Sequence, residues 1–199
     1  MYYNIIQEKR KNMSPKQDLR ILKTKKALYE GLIKLMQDQK FETIKVSTIC
    51  EISLVNRSTF YDHFNDKYDL LSSLINNLRD KLEIDLTNTT TNLNSKDYYL
   101  NMIKLFLNHI DTNKQIYYSI LKNNSEGIVI DITYYTILKD VQKHLHNHSN
   151  KTNIPPDIIS KFYVSAVISI CTEYIKFQDK YTKEDILLYL NKLIPPDIY

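Results

Sequence analysis

Four consecutive residues carry an amide, a guanidinium and two hydroxyl groups: Asn56, Arg57, Ser58 and Thr59. Groups of these types hydrogen-bond to base edges and phosphates in nucleic-acid complexes. Asn56 can also cap a helix, and Phe60 and Phe64 follow at helical spacing. The pattern predicts a short helix that begins at Asn56, with polar groups on one face and aromatic rings on the other.

A second short amphipathic run directly precedes this helix. Val46, Ile49 and Cys50 recur at a spacing of three to four residues. Two helices this short cannot bury their own apolar faces, so a third helix must brace them, as in a helix-turn-helix motif. We expect the bracing helix over residues 18–39. The expected small core consists of Leu28, Leu32, Leu35, Phe41, Ile44, Ile49, Val55, Phe60 and Phe64.

The composition favours an all-α protein. Apolar residues make up 43% of the chain, and there are only two glycines in 199 residues, too few for a fold rich in tight turns. No apolar run approaches the length of a membrane span, and the N-terminus lacks the apolar region of a signal peptide. We therefore expect a cytoplasmic protein with no membrane partner.

Positive charge is concentrated in the first third of the chain. Residues 1–67 hold 13 Lys and Arg against 8 Asp and Glu, a net charge of +5, whereas residues 68–199 hold 14 against 15, a net charge of −1. A basic head on a near-neutral body is the distribution expected of a nucleic-acid binder. A solvated surface could carry the same excess, so the charge supports the motif without establishing it.

The residues that carry a family resemblance are Thr24, Lys25, Lys26, Leu35, Met36, Lys40, Phe41, Glu42, Val46, Ile49, Cys50, the run from Val55 to Phe64, Lys67, Leu70 and Leu71. Their order resembles the N-terminal DNA-binding domain of TetR-family transcriptional regulators. The match spans about residues 20–72, and its most specific part is the run from Ser58 to Lys67. The resemblance implies that residues 56–63 form a recognition helix in the major groove of double-stranded operator DNA.

Nine residues are expected to contact DNA: Thr24, Lys45, Asn56, Arg57, Ser58, Thr59, Tyr61, His63 and Lys67. Thr24 is included because its hydroxyl could cap the first helix beside a phosphate. Tyr61 and His63 could instead pack at the edge of the domain. Leu54 departs from the family pattern, because a glycine usually stands at this turn. If Leu54 adopts a left-handed conformation, it costs on the order of 1 kcal/mol relative to glycine.

Lys45 is the second departure, because family members often have a capping Ser or Thr at this position. A missing cap costs about 1 kcal/mol, but the lysine adds a positive charge beside the expected phosphate path.

The rest of the chain predicts a helical body. We divide the sequence into a basic arm (1–19), a helix-turn-helix domain (20–66) and a ligand-binding and dimerisation domain (67–199). The arm is either a frayed polar tail or a segment that adds phosphate contacts. Helices are expected over residues 67–87, 98–109, 114–122, 128–146, 157–180 and 183–193.

The resemblance implies a homodimer formed by the last two helices. The expected dimer residues are Phe162, Ala166, Ile170, Tyr174, Phe177, Ile186 and Leu190. A small-molecule effector would bind among the helices of residues 97–177, in a cavity lined by Met102, Phe106, His109, Tyr117, Tyr134, Tyr135, Tyr163 and Cys171. The alternative for each of these residues is packing in the core of its own subunit.

Neither a cofactor, a metal site nor a catalytic constellation is predicted. The pair His144 and His148 lacks a carboxylate at a matching spacing and is expected at a solvated helix end. The leading hypothesis is a repressor released from its operator by a small-molecule effector. The alternative is a regulator or activator controlled by a protein partner, with no small-molecule cavity. An all-α enzyme is the third hypothesis and has no supporting motif.

Overall fold

The computed structural model describes residues 15–89, 95–124, 127–146, 154–177 and 180–194, and the helices of this part of the chain account for almost all of it. The helices are α1 (Pro15–Asp38), α2 (Val46–Ile52), α3 (Arg57–Tyr61), α4 (Lys67–Thr89), α5 (Ser95–Thr112), α6 (Lys114–Asn124), α7 (Ile128–His146), α8 (Pro156–Lys176) and α9 (Lys183–Leu193). A single 3-10 turn, Phe41–Thr43, connects α1 to α2. The all-α prediction is confirmed.

The head of the molecule consists of α1, α2 and α3. Its apolar residues pack into one core cluster, in which Val55 is half-buried and the other eight predicted core residues are buried. The core continues past the boundary expected at residue 66, because Leu70 and Leu71 of α4 and Val129 of α7 belong to the same cluster. Tyr29 of α1 is also linked to Ser73 of α4 by a hydrogen bond between hydroxyl groups at 2.8 Å.

The body contains α4 to α9 around a second core cluster. Its buried residues come from α5, α6, α8 and α9, as well as from Ile194 just after α9. Arg79 of α4 forms an ion pair with Asp140 of α7. Helix α9 starts with a capping box, in which Thr182 accepts from the Asp185 backbone N–H at 3.1 Å and the Asp185 carboxylate accepts from the Thr182 N–H at 3.0 Å.

Helix α8 differs from its prediction in two respects. It ends at Lys176 rather than at residue 180, because Phe177 leaves the helical conformation with φ −121° and ψ 67°. With 21 residues and a mean hydropathy of 1.4 over its most apolar stretch, α8 is also long and apolar enough to cross a membrane. The statement that no apolar segment approaches that length was therefore wrong, although core helices of other proteins satisfy the same criterion.

Candidate DNA-binding site

Helix α3 is short and is held at both ends by backbone hydrogen bonds. The carbonyl of Asn56 accepts from the Phe60 N–H at 3.0 Å, and Ser58 accepts from the Asp62 N–H at 2.9 Å. Asn56 occupies the N-cap position with φ −64° and ψ 146°, but its side chain makes no capping hydrogen bond. The Asn56 amide is exposed and is left for an external partner.

The two faces of α3 have opposite environments. Phe60 of α3 is buried in the head core together with Phe64, which lies just beyond the end of the helix, and the two ring centroids are 5.8 Å apart. Arg57 and Ser58 are exposed, Thr59 is half-buried, and Tyr61 is exposed with its ring edge-on to Phe60 at 5.3 Å. The buried rings fix the rotation of the helix about its own axis, so the guanidinium and hydroxyl groups point away from the head.

His63 lies half-buried at the end of this surface. Burial lowers the pKa of His63, and the positive charge of Lys25 lowers it further, so the imidazole is neutral at pH 7. Lys25 also lies over the Phe64 ring, with Nζ 5.6 Å from the centroid. Lys25 adds a cation next to the candidate site that the prediction did not include, although the pair Lys25-Lys26 beside Thr24 was a signal for it.

Lys67 has internal partners rather than a free ammonium group. Its Nζ donates to three backbone carbonyl oxygens, those of Phe41 (2.9 Å), Glu42 (2.7 Å) and Ile44 (2.9 Å). An ammonium group has three N–H donors, and all three are used here. The predicted phosphate contact of Lys67 is therefore replaced by a structural role, which is to hold the 3-10 turn against α4.

Thr24 is not at a helix end. The prediction placed it as a cap, but α1 begins at Pro15, a residue suited to the first turn of a helix, and Thr24 lies well inside it. Its hydroxyl therefore has no free first-turn N–H groups beside it, and that prediction was wrong. Lys45 does stand at the N-cap of α2, exposed and without a side-chain capping bond, as the sequence suggested.

The turn between α2 and α3 contains the predicted strain. Leu54 has φ 54° and is 94% exposed. The backbone is held there by bonds from the Leu54 N–H to Glu51 at 3.2 Å and from the Val55 N–H to Cys50 at 3.0 Å. Leu54 thus adopts the left-handed conformation, which costs on the order of 1 kcal/mol relative to glycine.

The residues predicted to line an effector cavity do not form one surface. Those that pack against the second core cluster or belong to it are Phe106, Tyr117, Tyr163 and Cys171. Phe106 and His109 both meet the Tyr117 ring edge-on, at centroid distances of 6.0 and 5.8 Å. Burial raises the pKa of the Cys171 thiol to about 12. Met102 and Tyr134 are half-buried.

Tyr135 is 66% exposed. Helix α7 packs against α4 and α8, and Tyr135 lies on the side that these helices leave open. Its assignment to a cavity was wrong. A groove of about 280 Å³ between α5 and α9 is lined by other residues: Leu100, Asn101, Lys104, Leu187, Leu188 and Asn191.

The predicted dimer residues fall into two groups. Tyr174, Ile186 and Leu190 are buried in the core of their own chain, and the Tyr174 hydroxyl donates to Asp111 Oδ1 at 2.6 Å. These three cannot reach a partner, so their assignment was wrong. Phe162 and Phe177 are exposed, whereas Ala166 and Ile170 are half-buried. Because α8 is apolar on nearly all sides, its spacing alone could not separate the inner face from the outer one.

Some predictions concern residues outside the part of the chain that the structure describes. Residues 1–14 of the basic arm and His148 belong to this group, as does the side chain of His144. The prediction missed the two asparagines at the end of α6, Asn123 and Asn124, which contact the head. A pair of amides at the last positions of a predicted helix was the available signal.

Comparison with known proteins identifies the family. Residues 97–196, half of the chain, match the TetR_C_8 family, described as "Transcriptional regulator C-terminal region". Over 159 residues the chain is 28% identical to the HTH-type dhaKLM operon transcriptional activator DhaS of Lactococcus lactis subsp. lactis (strain IL1403). The aligned residues cover 76% of this chain and 79% of that protein.

Two solved structures share the fold. A TetR transcriptional regulator from Streptococcus agalactiae 2603V is 26% identical, covers 88% of this chain and 96% of its own, and has a TM-score of 0.57. Lin0861 from Listeria innocua is 22% identical, with 88% and 91% coverage and a TM-score of 0.62. With a helix-turn-helix head, a helical body and a family match over half of its length, the chain belongs to the TetR family of transcriptional regulators.

Proposed function

We propose that this regulator binds operator DNA as a homodimer, with α3 of each subunit in the major groove. The observation that carries the proposal is that Phe60 anchors α3 in the head core, whereas Arg57 and Ser58 of the same helix are exposed. The residues proposed to contact DNA are Lys45, Asn56, Arg57, Ser58, Thr59, Tyr61 and His63. The two half-sites would be centred about 34–36 Å apart or at a multiple of that distance.

Exposed apolar residues on α8 and α9 support the proposed dimer. On α8 and just beyond it, Ile158, Phe162 and Phe177 are exposed, and on α9 Leu188 and Leu193 are exposed. Exposed apolar residues of this kind on the last two helices fit a self-complementary interface. Two subunits are also required for the two half-sites.

Activation of transcription is favoured over repression by one observation. The relative that is 28% identical is described as a transcriptional activator. The packing of Phe106, Tyr117, Tyr163 and Cys171 in the second core also supports control by a protein partner more than by a small effector in that region. Repression relieved by a small molecule is the competing proposal. Either form of control acts on DNA, so we place the protein in the cytoplasm.

Selection of DNA from fragments of the source genome tests the proposal. The full-length protein should enrich a short sequence with two-fold symmetry, and its affinity should fall steeply with salt, by about 0.9 in log K per log unit of salt for each neutralised phosphate. Arg57→Ala should weaken this binding, whereas Lys139→Ala, which removes an exposed charge from α7, should not.

Enrichment of no sequence, or equal binding by Arg57→Ala, would overturn the proposed site. A reporter gene placed after the selected operator then distinguishes the direction of control. Expression that rises when the protein is present supports activation, and expression that falls supports repression.

A further inference from the structure

The end of α1 is unusual because its own sequence supplies no cap. Helix α1 ends at Asp38 and is followed by Gln39 and Lys40, so no glycine is present to turn the chain in a left-handed conformation. The last four carbonyl groups of a helix lack partners within the helix. The Gln39 N–H donates to the Leu35 carbonyl at 3.1 Å. The carbonyl groups that follow Leu35 need donors from elsewhere.

Two asparagines at the end of α6 supply these donors. Asn123 Nδ2 donates to the Gln37 carbonyl at 2.7 Å. Asn124 Nδ2 donates to the Met36 carbonyl at 3.1 Å, and Asn124 Oδ1 accepts from the Phe41 N–H at 2.7 Å. The Asn124 amide therefore satisfies the end of α1 and the start of the 3-10 turn at the same time. A further bond to Ile120 at 3.0 Å anchors it to its own helix.

Burial makes this amide specific. Asn124 is 2% exposed, and water cannot replace the partners of a buried amide without rearrangement of the packing. An amide also accepts through its oxygen and donates two N–H bonds from its nitrogen, whereas a hydroxyl group has only one donor. From the opposite side, the three bonds of Lys67 hold the carbonyls of Phe41, Glu42 and Ile44. The segment from Met36 to Ile44 is thus held by the amides of Asn123 and Asn124 from α6 and by the ammonium group of Lys67 from α4.

We propose that Asn124, assisted by Asn123, is a positioning residue for DNA binding that sets the angle between head and body. The proposal rests on the proposed function, because in a dimer this angle determines the separation of the two α3 helices. The segment held by Asn124 leads directly into α2, and α2 and α3 share one core with α1. The body, which carries the proposed dimer surface, therefore holds the recognition helices through this amide in addition to the core that α1 shares with α4 and α7.

The binding of operators with altered half-site spacing tests the proposal. The operator selected by the full-length protein is lengthened or shortened by one and two base pairs between its half-sites. The unmodified protein should discriminate strongly among these spacings. Asn124→Ala should bind the original operator more weakly. The ratio of its affinities for the original and the altered spacings should fall by at least about fivefold, as expected when two linked sites are uncoupled.

A merely structural role would give a different result. If Asn124 only stabilises the fold, Asn124→Ala loses affinity by the same factor at every spacing, and this outcome overturns the proposal. Asn123→Ala, which removes the bond to Gln37, should reduce the discrimination among spacings by a smaller factor. This variant provides the test if Asn124→Ala does not fold. Asn113→Ala is the matched control, because the Asn113 amide bonds only near its own position, to the His109 carbonyl at 2.9 Å.

A second measurement needs no DNA. Spin labels at two exposed positions, Asp62→Cys in the head and Lys139→Cys in the body, report their separation within one labelled subunit diluted with unlabelled protein. Asn124→Ala should broaden the distance distribution, and Asn113→Ala should not. An unchanged distribution overturns the positioning role, whereas failure of the unmodified protein to enrich any DNA overturns the proposed function instead.

Discussion

Gly31 of α1 and Ser53 at the end of α2 lie so close that a Cβ added to Gly31 would be 2.1 Å from Ser53 Oγ. The next nearest atoms, Ser53 Cβ at 3.4 Å and the Ile49 carbonyl oxygen at 3.5 Å, are at ordinary contact distances. The Ser53 hydroxyl is itself buried with no hydrogen-bond partner among the described residues. One hydroxyl group therefore accounts for the requirement for glycine at this helix crossing.

A double-mutant cycle at these two positions should show strong coupling. Gly31→Ala alone should lower the free energy of unfolding, because the hydroxyl must be displaced. In a Ser53→Ala background the same substitution should raise it by about 1 kcal/mol, the advantage of alanine over glycine inside a helix. Urea denaturation measures all four proteins. Additive effects would show that backbone atoms, rather than Ser53 Oγ, exclude a side chain at residue 31.

Leu54→Gly should stabilise the protein by about 1 kcal/mol, because Leu54 adopts φ 54° and glycine has no Cβ to strain. The side chain is almost fully exposed, so its removal exposes little apolar surface. Leu54→Ala is the control, since alanine keeps the strain and should give no such gain. Equal stability of the two variants in thermal or urea denaturation would mean that the turn relaxes at no cost.

Lys67→Met should destabilise the protein by about 2 kcal/mol, because it leaves three carbonyl groups without their charged donor. The salt dependence of DNA binding separates this role from a phosphate contact. Loss of a phosphate contact reduces the slope of log K against log salt by about 1. For Lys67→Met we expect an unchanged slope and a lower melting temperature, and the reverse pattern would restore the predicted DNA contact.

The head could be predicted from the sequence to the level of single core residues, whereas the body could not. In the head, short helices must share one core, so the inward positions follow from spacing alone, and Phe60 and Phe64 are buried as expected. Leu54 was singled out because the family resemblance places a glycine at this turn, and its φ of 54° is the conformation that favours glycine. Thr24 and Lys67 were misjudged because their roles depend on where a helix begins and on which carbonyls lie nearby in space.

The predicted dimer surface shows most clearly where prediction from the sequence fails. Helix α8 carries apolar residues on most sides, and spacing cannot tell which side faces the body. Phe162 and Tyr174 were predicted together, yet one is exposed and the other is buried with its hydroxyl bonded to Asp111. The contact of Asn124 with the Met36 carbonyl joins residues 88 positions apart, and no local pattern reports such a pairing.

His63 should take up a proton when DNA binds. Burial and the charge of Lys25 hold its pKa below the ordinary value in the free protein, and a nearby phosphate would raise it. DNA affinity should therefore increase as the pH falls from about 8 to about 6, near the ordinary pKa of histidine. His63→Gln should flatten this dependence, and His109→Gln, in the body, should not. A pH profile unaffected by His63→Gln would place the imidazole away from phosphate.

The lowered pKa of His63 also makes the stability of the fold depend on pH, and this dependence runs opposite to that of DNA affinity. The folded-state pKa of His63 lies below the unfolded value, so its contribution to stability is complete above about pH 6.5 and is lost as the pH falls through the folded-state pKa. The affinity measurements should therefore be accompanied by melting curves at each pH. A protein that unfolds at the acidic end would lose affinity there, which is the reverse of the expected increase.

Phe162→Glu should convert the proposed dimer to a monomer. Phe162 is 66% exposed on α8, so a carboxylate there costs little in an isolated subunit but would be buried unpaired in an apolar interface. Tyr135→Glu is the matched control, because Tyr135 is an equally exposed aromatic residue on α7. Sedimentation should show a monomer for Phe162→Glu and a dimer for Tyr135→Glu. If Phe162→Glu remains dimeric while Tyr135→Glu dissociates, the interface lies on α7 rather than on α8.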